Sequence, residues 1–232
     1  MYRQPAVLPH ATVSGGWPHA GSEIARSGQL DALIALERIG ARMRFARDQE
    51  IYAEGEPGAA WFKVVSGIVR ISKLLADGRR HVAEFCFAGD SFGFERAAER
   101  GFSAEAVNEV TVLRLPFAAT ERLIEENPVL ARHLRDEMLK SLDAAQHRLL
   151  LLGRMTACER VAAFLLALAE RGDTRQLDLP MSRSDIADHL GLTVETVCRV
   201  LSDFKRRRLI AAPTAHRIEL VDRRALAAIA ED

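Results

Sequence analysis

Three features of the sequence predict an α+β chain: a glycine-punctuated series of short strands, a long helix with an unbroken apolar seam, and a helix-turn-helix pattern followed by two short strands. Together they describe an N-terminal β-roll, a dimerisation helix and a C-terminal winged helix-turn-helix. With 232 residues, 48% of them apolar, the chain can bury one sizeable core or two modest ones. Thirty-two basic residues cancel thirty-two acidic ones, so a polyanionic partner has to be met by a local basic patch.

Residues Met1 to Ser27 carry turn formers without apolar periodicity, which predicts a mobile arm over 1–29, followed by a short helix from Leu30 to Ile39. The β-roll domain is expected over 30–126. Its strand-sized runs are Phe62–Val65, Ile68–Leu74, Val82–Phe87 and Val110–Leu115, and Ser66-Gly67, Asp77-Gly78 and Gly89-Asp90 read as hairpin turns between them. After Pro116 the pattern is helical as far as Arg171, with Gly153 as the expected bend. Asn127-Pro128 makes a good start for a dimerisation helix over 127–153, because proline at the first helical position lacks a donor that would be unpaired there anyway. Met138, Leu142, Ala145, Leu149 and Leu152 alternate four-and-three spacings, so they share one side of that helix. The seam fits a second copy of the same helix; the plainer reading packs it on the chain's own β-domain.

The most specific segment lies in the winged helix-turn-helix domain expected over 154–232. In Ser184 to Leu201 the small Ala187 permits a close helix crossing and Gly191 supplies the turn. Ile186, Leu190, Leu192, Val197 and Val200 fill the wedge between the helices. Ser182 can cap the first helix with Asp185 answering three residues later, and Thr193 can cap the second. Val197, Val200, Leu201 and Phe204 form the buried stripe of the second helix. That leaves Val194, Glu195, Cys198 and Arg199 together on the outer face as candidates for base readout. Ser182, Thr193, Thr196, Lys205, Arg206 and Arg207 are the phosphate candidates, and Arg208 is equally suited to a structural role. Leu209-Ile210 and Arg217–Leu220 read as wing strands around a turn at Pro213. The plainer reading is a helical hairpin with solvated arginines. The coincidence of turn glycine, small crossing residue and exposed Glu/Arg pair speaks against it.

The order of these elements resembles the Crp/Fnr superfamily of transcription regulators over nearly the whole chain, and within it the FixK-like branch. The second helix is similar to the Fnr-like pattern E-x-x-S-R at Glu195 and Arg199, with Cys198 in place of serine. The resemblance implies a roll of the cyclic-nucleotide-binding jelly-roll type and a homodimer acting on double-stranded DNA of the type TTGA-N6-TCAA. It also implies RNA polymerase as a partner and activation of nitrogen-fixation or low-oxygen genes. It places a nucleotide phosphate at a turn that here reads Gly93-Phe94-Glu95, followed by Phe102-Ser103-Ala104-Glu105. A phenylalanine in the arginine position, with an acid beside it, is hostile to a phosphate. The expectation is a regulator without a small-molecule effector. The alternative is ligand gating through an aromatic lining of Phe85, Phe87, Phe92 and Phe94.

No cofactor or metal is expected. Cys86, Cys158 and Cys198 are widely spaced, no cysteine precedes Cys86 to hold an iron–sulfur cluster of the Fnr type, and the seven histidines are scattered. Cys86 is expected in the roll core and Cys158 on a helix packing the DNA-binding domain. Cys198 is the candidate redox-sensitive thiol, since a helix N-terminus and neighbouring cations are the setting in which thiols react. An enzyme would need a base beside a nucleophile or a His pair with a carboxylate, and neither pattern is present. The longest apolar stretch, Val161–Ala169, is far below the roughly 20 residues of a membrane span, and the first thirty residues lack a signal-like apolar core. A cytoplasmic protein with no membrane partner is expected.

Overall fold

The computed structural model describes residues 34–95, 99–172, 175–214 and 216–231. The expected mobile arm, 1–29, and the first residues of the short helix, 30–33, lie outside them; the helix is present over 34–39 (α1). The apolar runs that follow form β1 (Ala41–Phe45), β2 (Glu50–Tyr52), β3 (Ala60–Ser66), β4 (Val69–Leu74), β5 (Arg80–Cys86), β6 (Ser91–Phe92), β7 (Ser103–Ala106) and β8 (Val110–Pro116). They assemble into two antiparallel sheets, β1-β8-β3-β6 and β2-β7-β4-β5. Side chains that alternate inward, Val64, Val69, Ala104, Ala106, Val110 and Val112, close the core between the sheets around Tyr52, Phe62 and Phe92.

Of the three turns expected to be hairpins, only Asp77-Gly78 joins paired neighbours, β4 and β5. Ser66-Gly67 and Gly89-Asp90 instead carry the chain from one sheet to the other. A sharp turn needs the same residues whether it reverses a hairpin or changes sheets, so the sequence signal could not separate the two. Gly67 is indispensable there. Its φ is +84°, and a Cβ would lie 2.3 Å from the carbonyl oxygen of Glu109.

The helical region breaks twice rather than once. α2 spans Phe117–Glu126, α3 spans Pro128–Arg154 and α4 spans Ala157–Gly172. Asn127 caps α3 by accepting from the amides of Val129 and Leu130, both at 3.1 Å. Gly153 stays helical, in correction of the expected bend. The break falls at Met155-Thr156, where Thr156 and Glu159 form a reciprocal cap: Thr156 N and Oγ1 donate to the Glu159 carboxylate at 3.0 and 2.6 Å. The apolar side of α3 is divided. Leu130 and Leu134 bury against Leu36, Trp61, Leu113 and Leu115 of the roll, whereas the later turns do not.

The C-terminal unit contains β9 (Gln176–Asp178), α5 (Arg183–Leu190), α6 (Val194–Arg206), β10 (Ile210–Thr214), β11 (Arg217–Leu220) and α7 (Arg223–Glu231). The wing differs from expectation. Pro213 sits inside β10 at an irregularity in the β10–β11 register, not in the turn, and β9 adds a third strand. An irregular register frees the proline from the ladder donor it lacks. One buried cluster joins this unit to the roll: Ile68, Val82, Phe85 and Val107 pack with Phe164, Ile186 and Leu190.

Candidate nucleic-acid interface

The helix-turn-helix follows from local chemistry. Ser182 Oγ accepts from the Asp185 amide at 3.0 Å while the Asp185 carboxylate accepts from the Ser182 amide at 2.9 Å, a complete capping box. Gly191 ends α5 at φ +63°, and Thr193 starts α6 by accepting from the Thr196 amide at 3.2 Å. Val197, Val200 and Phe204 are buried and Leu201 is half-buried. Pinning that stripe inward turns Val194, Glu195, Cys198 and Arg199 outward, and all four are exposed.

This outer face carries an acceptor and a donor fork side by side. Bonds from its own amide and from the Thr193 hydroxyl hold the Glu195 carboxyl below its ordinary range, so it is an acceptor at neutral pH. Arg199 presents a planar donor fork one turn further on. Ser202, one turn beyond Cys198 on the same face, is also exposed, with its hydroxyl donating to the Cys198 carbonyl at 2.8 Å. Sequence reasoning missed Ser202, although its i+7 spacing from Glu195 marks the same face. It also missed Arg183, at the start of α5, which lies within electrostatic reach of the Cys198 thiol.

The phosphate candidates divide. Lys205 is exposed at the helix end. Arg206 and Arg207 both pair with Asp203, Arg207 at 3.6 Å. Ser182 Oγ donates to Asp185 at 2.7 Å, and Thr193 and Thr196 bring their hydroxyls within 3.1 Å of each other. Arg208 has φ +58°, and the Leu209 amide bonds back to the Phe204 carbonyl at 2.9 Å, so its backbone closes the helix. Cys158 packs against the core of this unit and Cys86 is buried in the roll, as expected.

On α3, Met138, Leu142 and Leu149 are 47%, 52% and 73% exposed, and Leu139, which the heptad reading passed over, is 51% exposed. Ala145 and Leu152 are half-buried, and Leu152 Cδ2 lies 3.5 Å from where a Cβ on Gly191 would stand.

Inside the roll an arginine does stand beside the Gly93 turn, but it comes from position 100. The buried Arg100 guanidinium lies 3.8 Å from the centre of the Tyr52 ring and donates to the carbonyls of Ala60 at 2.5 Å and Gly93 at 3.4 Å. The four phenylalanines do not share a lining. Phe92 stacks on Phe62, Phe94 stacks on Trp61, Phe85 packs against Phe164, and Phe87 lies beneath Arg171.

Comparison with known proteins gives the same division of the chain. Residues 159–229 match the Crp-like helix-turn-helix domain and residues 42–127 match the cyclic nucleotide-binding domain. The nitrogen fixation regulation protein FixK of Azorhizobium caulinodans is 40% identical over 223 residues, covering 94% of this chain and 90% of that protein. FixK of Rhizobium meliloti is 45% identical over 179 residues, covering 77% and 82%. The chain belongs to the Crp/Fnr family. The solved structure of FixK2 from Bradyrhizobium japonicum, another FixK, matches with a TM-score of 0.78 at 38% identity, over 82% of this chain and 97% of that one. As a Crp/Fnr regulator the chain is a DNA-binding transcription factor, in a family of transcription factors and not of enzymes. Among the described residues no helix is long and apolar enough to cross a membrane.

Proposed function

We propose that this Crp/Fnr regulator is a cytoplasmic homodimeric activator that binds a palindrome of the type TTGA-N6-TCAA and contacts RNA polymerase. It does so without a small-molecule effector. The observation that carries the reading is the joint exposure of Glu195 and Arg199 one turn apart on α6. An arginine fork fits guanine O6 and N7, and an ionised carboxylate accepts from a cytosine amino group. Exposed Met138, Leu142 and Leu149 supply a seam for the partner, since two recognition helices need half-sites about one helical turn apart. The names of two relatives, the FixK nitrogen fixation regulation protein and the transcriptional activatory protein AadR of Rhodopseudomonas palustris, support activation and a role in nitrogen-fixation genes. Effector independence is supported by Arg100, whose guanidinium fills the space against Tyr52 beside the Gly93 turn.

Selection from random duplexes with the purified protein tests the site directly, and recovery of a sequence without paired TTGA half-sites refutes it. Arg199→Ala should cost about 1 to 3 kcal/mol on the selected site and far less on unrelated DNA. Equal losses on both would reduce Arg199 to a phosphate contact.

A further inference from the structure

The first helix of the DNA-binding motif is tied to the β-roll through the same carboxylate that caps it. Asp185 Oδ2 accepts from the Ser182 amide and hydroxyl, while its Oδ1 accepts from Arg80 Nη2 at 2.5 Å and Arg70 Nη1 at 3.3 Å. One turn along α5, Asp188 Oδ2 accepts from Arg80 Nε at 2.9 Å. The site is closed to water at its centre, with the Arg70 and Asp185 side chains 10% and 5% exposed. Arg70 is steadied by Glu105 at 2.9 Å and Asp48 at 3.3 Å. The next residue but three after Asp185, His189, places Nδ1 at 3.0 Å from the Val82 carbonyl of β5, and because a carbonyl only accepts, Nδ1 carries the proton. Its ring packs between Phe85 of the roll and Phe164 of α4, at 5.1 and 5.7 Å.

The β4–β5 hairpin therefore grips α5 by two carboxylates and an imidazole. It also faces α3, through Glu84 and Arg148 at 3.3 Å. A second tie, Arg171 of α4 to Asp90 at 2.8 Å, holds the unit from another side. Two separated attachments fix an angle where one would leave a pivot. Since α6 follows α5 across a single glycine turn, the angle of α5 against α3 is also the angle of the reading face. We propose that Arg70 and Arg80 are positioning residues for DNA recognition. They touch no DNA, but they set the distance between the two reading faces of a dimer and so the half-site spacing the protein accepts. This rests on the two-half-site reading proposed above.

The experiment uses the full chain with Arg80→Asp, Asp188→Arg, the double exchange Arg80→Asp/Asp188→Arg, and the milder Arg80→Gln. Each is titrated on duplexes carrying two TTGA half-sites separated by five to eight base pairs and on a duplex with a single half-site. The wild type should prefer one spacing. Arg80→Asp and Arg80→Gln should flatten that preference by about fivefold or more, with single-half-site affinity within about twofold of wild type and the base preference kept. The double exchange should recover the optimum only in part, because it re-forms the pair between positions 80 and 188 but sets a carboxylate at position 80 against Asp185. If Arg80→Asp fails to fold, Arg80→Gln decides. An unchanged spacing profile in a folded variant overturns the inference. So does an equal loss on single and paired half-sites, which would make the contact a plain support of the helix-turn-helix. A wild type with no preferred spacing overturns the two-half-site reading instead.

Discussion

Replacing Leu142 and Leu149 together by glutamate tests the seam of α3 on which dimerisation is proposed to rest. Leu142 is 52% and Leu149 73% exposed in the lone chain, so most of the burial still open to them comes from a partner. Complete burial of a leucine is worth about 2 kcal/mol, so the exposed fractions amount to about 2.5 kcal/mol per protomer and about 5 kcal/mol for the pair. At 1.4 kcal/mol per decade the dimer constant should weaken by about three and a half orders of magnitude, before adding the repulsion of carboxylates facing their own copies. Leu130 and Leu134 already anchor the first turns of α3 to the roll, so the monomer should keep its fold. Sedimentation velocity at micromolar protein, paired with titration of the palindromic duplex, reads both consequences. A double variant that still sediments as a dimer with wild-type affinity for the duplex would refute the assignment of this surface.

Lys205→Ala should shallow the salt dependence of binding by a log–log slope of about 2 per dimer, one phosphate in each half, with base preference unchanged in a repeated selection. Peroxide should weaken operator binding in the native protein and spare Cys198→Ser, since Cys198 is exposed on the proposed reading face whereas Cys86 is buried; equal sensitivity in both proteins would exclude that thiol. Burial lowers His189 to about 4, helped by Arg148 and His81 and opposed by the Val82 carbonyl. The unfolded chain therefore takes up a proton below pH 6.5 that the folded one refuses. Stability should be intact above that pH and fall by about 2 kcal/mol between pH 6.5 and 5, and denaturant titrations of His189→Asn should lose this slope.

The helix-turn-helix was legible residue by residue because its determinants are local: a cap at Ser182, a left-handed turn at Gly191 and a buried stripe ending at Phe204. Strand positions in the roll were legible in the longer β-branched and aromatic runs, as in β8, whereas the short β2, β6 and β7 were not, β7 despite its alternation. β1 escaped because Arg42, Met43 and Arg44 are all exposed and show no alternation; only pairing with β8 makes it a strand. Sheet membership was not legible, since Ser66-Gly67 and Gly89-Asp90 look like hairpin turns from within their own few residues. The position of Arg100 was hidden for a similar reason. Reading the segment by resemblance drew attention to Phe102, whereas the guanidinium that reaches Gly93 is set two residues earlier by the path of the loop. The ties from Arg70 and Arg80 to Asp185 span more than a hundred residues and leave no periodic trace.

The divided apolar side of α3 also bears on how the regulator responds to its own abundance. Below the dimer constant, the concentration of the species that spans a palindrome rises with the square of the chain concentration, so a doubling of synthesis yields about four times the DNA-binding form. Above that constant the relation becomes linear. In the proposed dimer the residues exposed at positions 138, 139, 142 and 149 would act as a gain control on gene dosage: trimming one side chain would move the concentration at which the response steepens, with no change at the proposed reading face of α6. A monomer carrying this uncovered stripe would meanwhile be the form most open to proteases, which would sharpen the threshold by clearing chains that have not found a partner.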